Sequence, residues 1–117
     1  MTVLIIEDEP FLREIFKDQF EAKGHAVFAA DNGKIGLEML AREVIDLVLT
    51  DVQMPVMSGM DFLKLAKARS IDMPPVVVMT GGCSYTVEQF YEAGASAYFD
   101  KIGISVDRVI SVLNRSA

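Results

Sequence analysis

The chain has 117 residues, 51% of them hydrophobic and 24% charged, a composition that fits one globular domain and excludes a disordered segment or a second fold. Its 17 Asp and Glu against 11 Lys and Arg leave a net charge of −6, which argues against non-specific binding to nucleic acid or an anionic membrane surface. One cysteine excludes an internal disulfide and a thiolate metal cluster, and every apolar run falls well short of the ~20 residues that span a bilayer.

In chain order, short β-type runs alternate with helical patterns. Met1-Thr2 lead without a basic segment into Val3–Ile6, so no secretory signal is expected and the cytoplasm is the expected location. Pro10 then sits where a first helical turn accepts it, and Leu12, Ile15, Phe16 and Phe20 share one face up to a stop at Lys23-Gly24. The second strand is expected over Ala26–Ala29, followed by a helix with Leu37, Leu40, Ala41 and Val44 inward. A third strand at Asp46–Thr50 precedes a helix opening at Ser58-Gly59-Met60-Asp61, which has capping-box spacing. The fourth strand, Pro75–Met79, leads to the weakest helical pattern, Val87–Ala93, with Val87, Phe90 and Tyr91 inward and a stop at Gly94. The last strand is Ala97–Phe99, and the last helix turns Val106, Val109, Ile110 and Leu113 to the core.

All strands but the second read as near-continuous apolar runs, the mark of strands buried on both faces of a parallel sheet. Five strands alternating with five helices imply a doubly wound α/β fold filling residues 1–117 as one domain. In such sheets a ligand site lies beyond the carboxyl ends of the strands, at the switch point in strand order.

Those ends are where polar residues interrupt the apolar runs. Glu7, Asp8 and Glu9 follow Ile6, Asp51 follows Thr50, Asp100 and Lys101 follow Phe99, and the fourth strand ends at Thr80-Gly81-Gly82. Convergent strand ends would bring Glu7, Asp8, Asp51, Thr80 and Lys101 into one pocket. Carboxylates ~4 Å apart at an effective dielectric of ~20 repel by about 4 kcal/mol per pair. A divalent cation with oxygen ligands, as Mg²⁺ prefers, offsets that repulsion. A lysine and a hydroxyl beside an acid–metal site are the parts needed to hold phosphoryl oxygens. Solvated turn acids are the plain alternative for any single residue, but five in the appropriate positions favour the pocket.

With these residues in view, the whole chain resembles the receiver domain of two-component response regulators, in particular single-domain receivers of the chemotaxis-regulator type. Leu49-Thr50-Asp51-Val52-Gln53-Met54-Pro55-Val56-Met57-Ser58-Gly59 is similar to the family's pattern around its phosphorylated aspartate. Val3-Leu4-Ile5-Ile6-Glu7-Asp8-Glu9-Pro10 matches its first strand and acidic pair, and Gly94-Ala95-Ser96-Ala97-Tyr98-Phe99-Asp100-Lys101 its last strand and lysine. The resemblance implies a flavodoxin-like sheet with strand order 2-1-3-4-5. It implies Asp51 as phosphoacceptor and Mg²⁺ as the only cofactor, bound by Asp8, Asp51 and the backbone carbonyl of Gln53, with Glu7 holding a metal-bound water. Thr80 and Lys101 would contact the phosphoryl oxygens, and Thr80 and Tyr98 would form the switch pair. The implied partners are a sensor histidine kinase or histidine phosphotransfer protein as donor, and a target protein or output domain downstream. A receiver homodimer is a further implied possibility; direct nucleic-acid or membrane binding is not expected. Such a domain catalyses only its own phosphotransfer and dephosphorylation.

Rival classes fit less well. A haloacid-dehalogenase-like phosphatase needs an acid two residues after its aspartate, where this chain has Gln53, and a flavodoxin-like electron carrier needs a phosphate loop where this chain has Glu7-Asp8-Glu9. A degenerate receiver, serving as a phosphorylation-independent binding module, is countered by the intact acids, Thr80 and Lys101. Two departures stand out: Ile102 replaces the family's usual Pro after the lysine, and Gly81 replaces a small Ala after the threonine. A cis Lys101–Ile102 bond would cost ~2.5–4 kcal/mol, so a trans bond is expected, with the loop re-routed through Gly103 and Lys101 loosely held at rest. His25 and Cys83 are expected to be bystanders, and most of the seven Met core filler.

Overall fold

The computed structural model describes residues 1–69, 72–82, 85–101 and 103–116, with side chains through 113. Five strands, β1 (Thr2–Ile6), β2 (Ala26–Ala30), β3 (Leu47–Asp51), β4 (Val76–Thr80) and β5 (Ala97–Asp100), form one sheet. All four pairings are parallel, in the order β2-β1-β3-β4-β5. Five helices alternate with them: α1 (Pro10–Ala22), α2 (Gly33–Arg42), α3 (Gly59–Ala68), α4 (Val87–Glu92) and α5 (Val106–Ser116). The expected doubly wound fold and strand order are both present.

Period-two alternation along the strands sorts the core into two layers. Leu4, Ile6, Val48, Val76 and Val78 face one side and pack with Leu37 of α2, Met60, Phe62 and Leu63 of α3, and Phe90 of α4. Val3, Ile5, Leu47, Leu49, Val77 and Met79 face the other and pack with Phe16 and Phe20 of α1 and Val106, Val109 and Val112 of α5. β1, β3 and β4 are buried almost throughout, but β5 is an edge strand and only Ala97 of it is fully buried. Among the described residues no helix is long and apolar enough to cross a membrane.

The helix boundaries follow the capping chemistry. Glu9 caps α1 by accepting from the Leu12 N–H at 2.7 Å, which commits this third acid of the run to the helix. Ser58 caps α3 through the Asp61 N–H, while the reciprocal capping box is found at α4, between Thr86 and Gln89.

Two helical faces differ from expectation. In α2 the expected Leu37 and Leu40 do face inward, with Ile35, Gly36 and Met39, whereas Ala41 is exposed and Val44 lies beyond the helix, 85% exposed, with Ile45 buried in its stead. The helix starts at Gly33 and ends at Arg42, so the expected stripe holds at Leu37 and Leu40 and fails at its C-terminal end. In α4 only Phe90 is buried, and Val87 and Tyr91 are 42% and 49% exposed, because six residues of helix lean on an edge strand that covers one side chain. Cys83 and the Lys101–Ile102 bond lie outside the described residues; Gly103 does adopt a φ of 84°, in line with a loop turning through it.

Candidate functional site

Because β1 and β3 are neighbours and the chain reverses its order of strand addition between them, the loops after them flank the switch point. Glu7 follows β1 with its N–H bonded to the Ala30 carbonyl at 3.0 Å, and its side chain is fully buried. Asp51 ends β3 at 4% exposure, and one of its oxygens, Oδ1, accepts from the Val52 N–H at 2.7 Å. One carboxylate oxygen from each of Glu7, Asp8 and Asp51 lies within 4.8 Å of the others. Lys101, one residue past β5, sends its ammonium between them, donating to Asp51 Oδ2 at 2.8 Å. Glu7 Oε1 forms an ion pair with that ammonium at 2.7 Å, and among the described residues this buried oxygen receives no hydrogen bond.

The electrostatics follow from this crowding. Burial pushes the Glu7 carboxyl up from 4.5 to about 7; Lys101 opposes the rise, and the neighbouring Asp51 and Asp8 add to it. Burial alone would lower Lys101, but its close pairing with Asp51 and Glu7 outweighs that and holds it above 10.5. One ammonium among three carboxylates leaves the pocket short of positive charge. The donor set is oxygen only, and a buried carboxylate oxygen without a donor is what an added cation would satisfy, so these residues fit Mg²⁺.

The loose seating expected for Lys101 is not observed. Two buried carboxylates at under 3 Å hold it in the pocket at rest, which outweighs whatever freedom the following loop has. Thr80, 1% exposed at the end of β4, accepts from the Gly82 N–H at 3.1 Å through its hydroxyl, and its carbonyl accepts from the Lys101 N–H at 2.9 Å. Tyr98 of β5 is half-buried and its ring stacks on Phe90, centroids 5.5 Å apart, and Tyr85 meets the same Phe90 ring edge-on at 5.8 Å. Gln53 is exposed in the loop after β3.

Two contributors were not singled out from the sequence. Arg13, in the first turn of α1, donates from Nη1 to the Glu7 carbonyl at 2.9 Å and so ties the helix to the acid-bearing turn. A cation in a first helical turn opposes the helix dipole, and that mismatch was the available signal. Gly59 packs its Cα against the Asp51 backbone, and a Cβ there would run into the Asp51 carbonyl. His25, by contrast, lies at the opposite end of the sheet beside the Met1 amine, 3.3 Å away.

Known proteins share this arrangement of chain and sheet. The family model described as the response regulator receiver domain matches residues 3–113. Response regulator protein FleR of Pseudomonas aeruginosa is 34% identical over 99 residues, covering 85% of this chain; the chain spans only 21% of FleR. Sporulation initiation phosphotransferase F of Bacillus subtilis is 29% identical over 99 residues, 85% of this chain and 80% of that protein. A response regulator receiver domain protein from Clostridium thermocellum superposes with a TM-score of 0.83 at 30% identity, covering 97% of this chain and 91% of that one. The chain therefore belongs to the response regulator receiver domain family of two-component signalling.

Proposed function

We propose that residues 1–117 form one receiver domain that acts as a phosphorylation-dependent switch, with Asp51 as the phosphoacceptor. The observation that carries this is the Lys101 ammonium held at 2.7 and 2.8 Å between buried Glu7 and Asp51, with Asp8 completing an oxygen-only cluster. The donor is a phosphohistidine of a sensor kinase or histidine phosphotransfer protein, in the cytoplasm, and the domain acts on no substrate but its own Asp51. A carboxylate oxygen of Asp51 attacks phosphorus; the phosphorus–nitrogen bond breaks, its electron pair stays on the imidazole nitrogen, and that nitrogen takes a proton. The product is an acyl phosphate, later hydrolysed by water.

An aspartyl carboxylate is a weak nucleophile, so the protein's contribution is orientation and charge. Val52 N–H fixes one carboxylate oxygen, and Lys101 stands beside the other to receive the added phosphoryl charge. Asp8, Asp51 and the Gln53 carbonyl would hold Mg²⁺, with Glu7 acting through water; the bound ion would neutralise phosphoryl oxygens. Thr80 then turns its hydroxyl from the Gly82 N–H to a phosphoryl oxygen, and Tyr98 follows. This changes the face formed by α4, β5 and α5 for a target or output domain. A small-molecule phosphodonor with Mg²⁺ should add one phosphoryl group to the wild-type protein and none to Asp51→Asn, read by intact mass. Equal labelling of Asp51→Asn would overturn the assignment.

A further inference from the structure

We propose that the cleft between α3 and α4 is a binding site for a small aromatic molecule carrying one negative charge. α3 packs towards α2, and α4 packs towards β5, so the two helices part and leave a hollow of about 410 Å³. That lies within the ~300–1,000 Å³ of small-molecule pockets, and Asp51 is not among the residues that line it. Its floor is apolar and fixed: Met60 is 1% exposed and Ala93 8%. A thioether floor favours an aromatic ring, and the Tyr85 ring, held edge-on against Phe90, supplies an aromatic wall on the α4 side.

The charge pattern selects the second half of the ligand. Lys64 and Lys67 project from α3 into the cleft. Lys67 is engaged, donating to the Glu92 carbonyl at 3.2 Å across the C-terminal end of α4. Lys64 makes no hydrogen bond or ion pair among the described residues, in a chain with six more acids than bases. An anion beside Lys64 gains a charge-assisted contact without displacing one. Glu92 also lines the cleft and repels a second negative group, which favours a ligand with a single carboxylate, sulfonate or comparable charge. Lys67 and Ala93 also line a smaller hollow of about 290 Å³ beside Leu63 and Met73.

The probe is anilinonaphthalene sulfonate, an aromatic ring system with one sulfonate, titrated into the folded full chain and followed by amide NMR. The expected result is saturable one-to-one binding with shifts at Met60, Lys64, Tyr85 and Ala93. Lys64→Glu should weaken binding about tenfold or more, the worth of one charge-assisted contact. Ala68→Phe, which narrows the cleft from an exposed position, should weaken it as well, and N-phenylnaphthylamine, which lacks the sulfonate, should bind less tightly than the sulfonate. Unchanged urea midpoints show that both variants are folded. Shifts clustered elsewhere, binding untouched by both substitutions, or cleft shifts caused by protein concentration alone, as for a second copy seated there, each overturn the proposal. None of these readouts uses Asp51, so they are independent of the phosphorylation assignment.

Discussion

Replacing Glu7 by Gln should stabilise the metal-free domain, and the gain should depend on pH. Glu7 is fully buried and its carboxyl is pushed from 4.5 up to about 7, chiefly by burial, despite Lys101 beside it. At about 1.4 kcal/mol per tenfold in proton affinity, holding that group ionised in the fold costs roughly 3 kcal/mol. The sign follows from the raised value. Below the unfolded carboxyl's pKa both states are protonated and the penalty vanishes; it grows as pH rises through 4.5 and is complete above about 7. Gln mimics the protonated acid in shape, so Glu7→Gln should match wild type near pH 4 and exceed it by up to about 3 kcal/mol near pH 8. With a urea dependence of ~1–3 kcal/mol per molar, the unfolding midpoint should move up by roughly 1–3 M in the presence of a chelator. Adding Mg²⁺ should narrow the difference, because a cation relieves the wild-type repulsion and has less to bind in the variant. A variant less stable than wild type at pH 8, or equally displaced at both pH values, would refute the reasoning.

Gly59→Ala should destabilise by about 1–3 kcal/mol or more, because the new methyl meets the Asp51 backbone rather than a yielding side chain; thermal melts of the two proteins decide this. Gly81 and Gly82 should respond in opposite directions: Gly81 has open space and an ordinary φ, so Gly81→Ala should stabilise by ~0.4–1 kcal/mol. Gly82 sits at φ 135°, where Ala should cost about 1 kcal/mol or more, and paired denaturant curves report the difference. Arg13→Gln should weaken Mg²⁺ binding, measured by calorimetry, by severalfold, since the acid-bearing turn loses its tie to α1. Arg13→Lys should recover part of that loss.

The fold was legible because each strand is an apolar run of four or five residues closed by a polar one, and glycines mark the helix stops at Gly24 and Gly94. The same property exposed the pocket: Glu7, Asp51, Thr80 and Lys101 belong to the polar residues that close the apolar runs, and parallel pairing makes those strand ends converge. What periodicity could not reveal was relative depth. Val44, Val87 and Tyr91 fall on apolar stripes, yet α2 stops before the first and α4 rests on an edge strand too narrow to cover the others. Nor could spacing show Arg13 reaching back to a backbone carbonyl, since a side chain's return to the preceding turn leaves no period. The seating of Lys101 was misread because the local cost of the bond after it says nothing about two carboxylates fifty and more residues away.

The hydrogen bond from the Lys101 N–H to the Thr80 carbonyl has a mechanical meaning. Thr80 is also paired in register with Asp100, and Met79 before it takes the Val52 N–H at 3.2 Å, so the backbone up to Thr80 is anchored to both neighbouring strands. A pull on the Thr80 hydroxyl therefore cannot drag its own Cα without lifting Lys101 away from the carboxylates. Compliance begins one residue later, at Gly81-Gly82, where the tether from the Gly82 N–H to the Thr80 hydroxyl is the first contact to give. On the proposed switch, rotation of one hydroxyl would release the Gly82 N–H while the strand backbone behind it stays held, a few residues ahead of the six-residue α4.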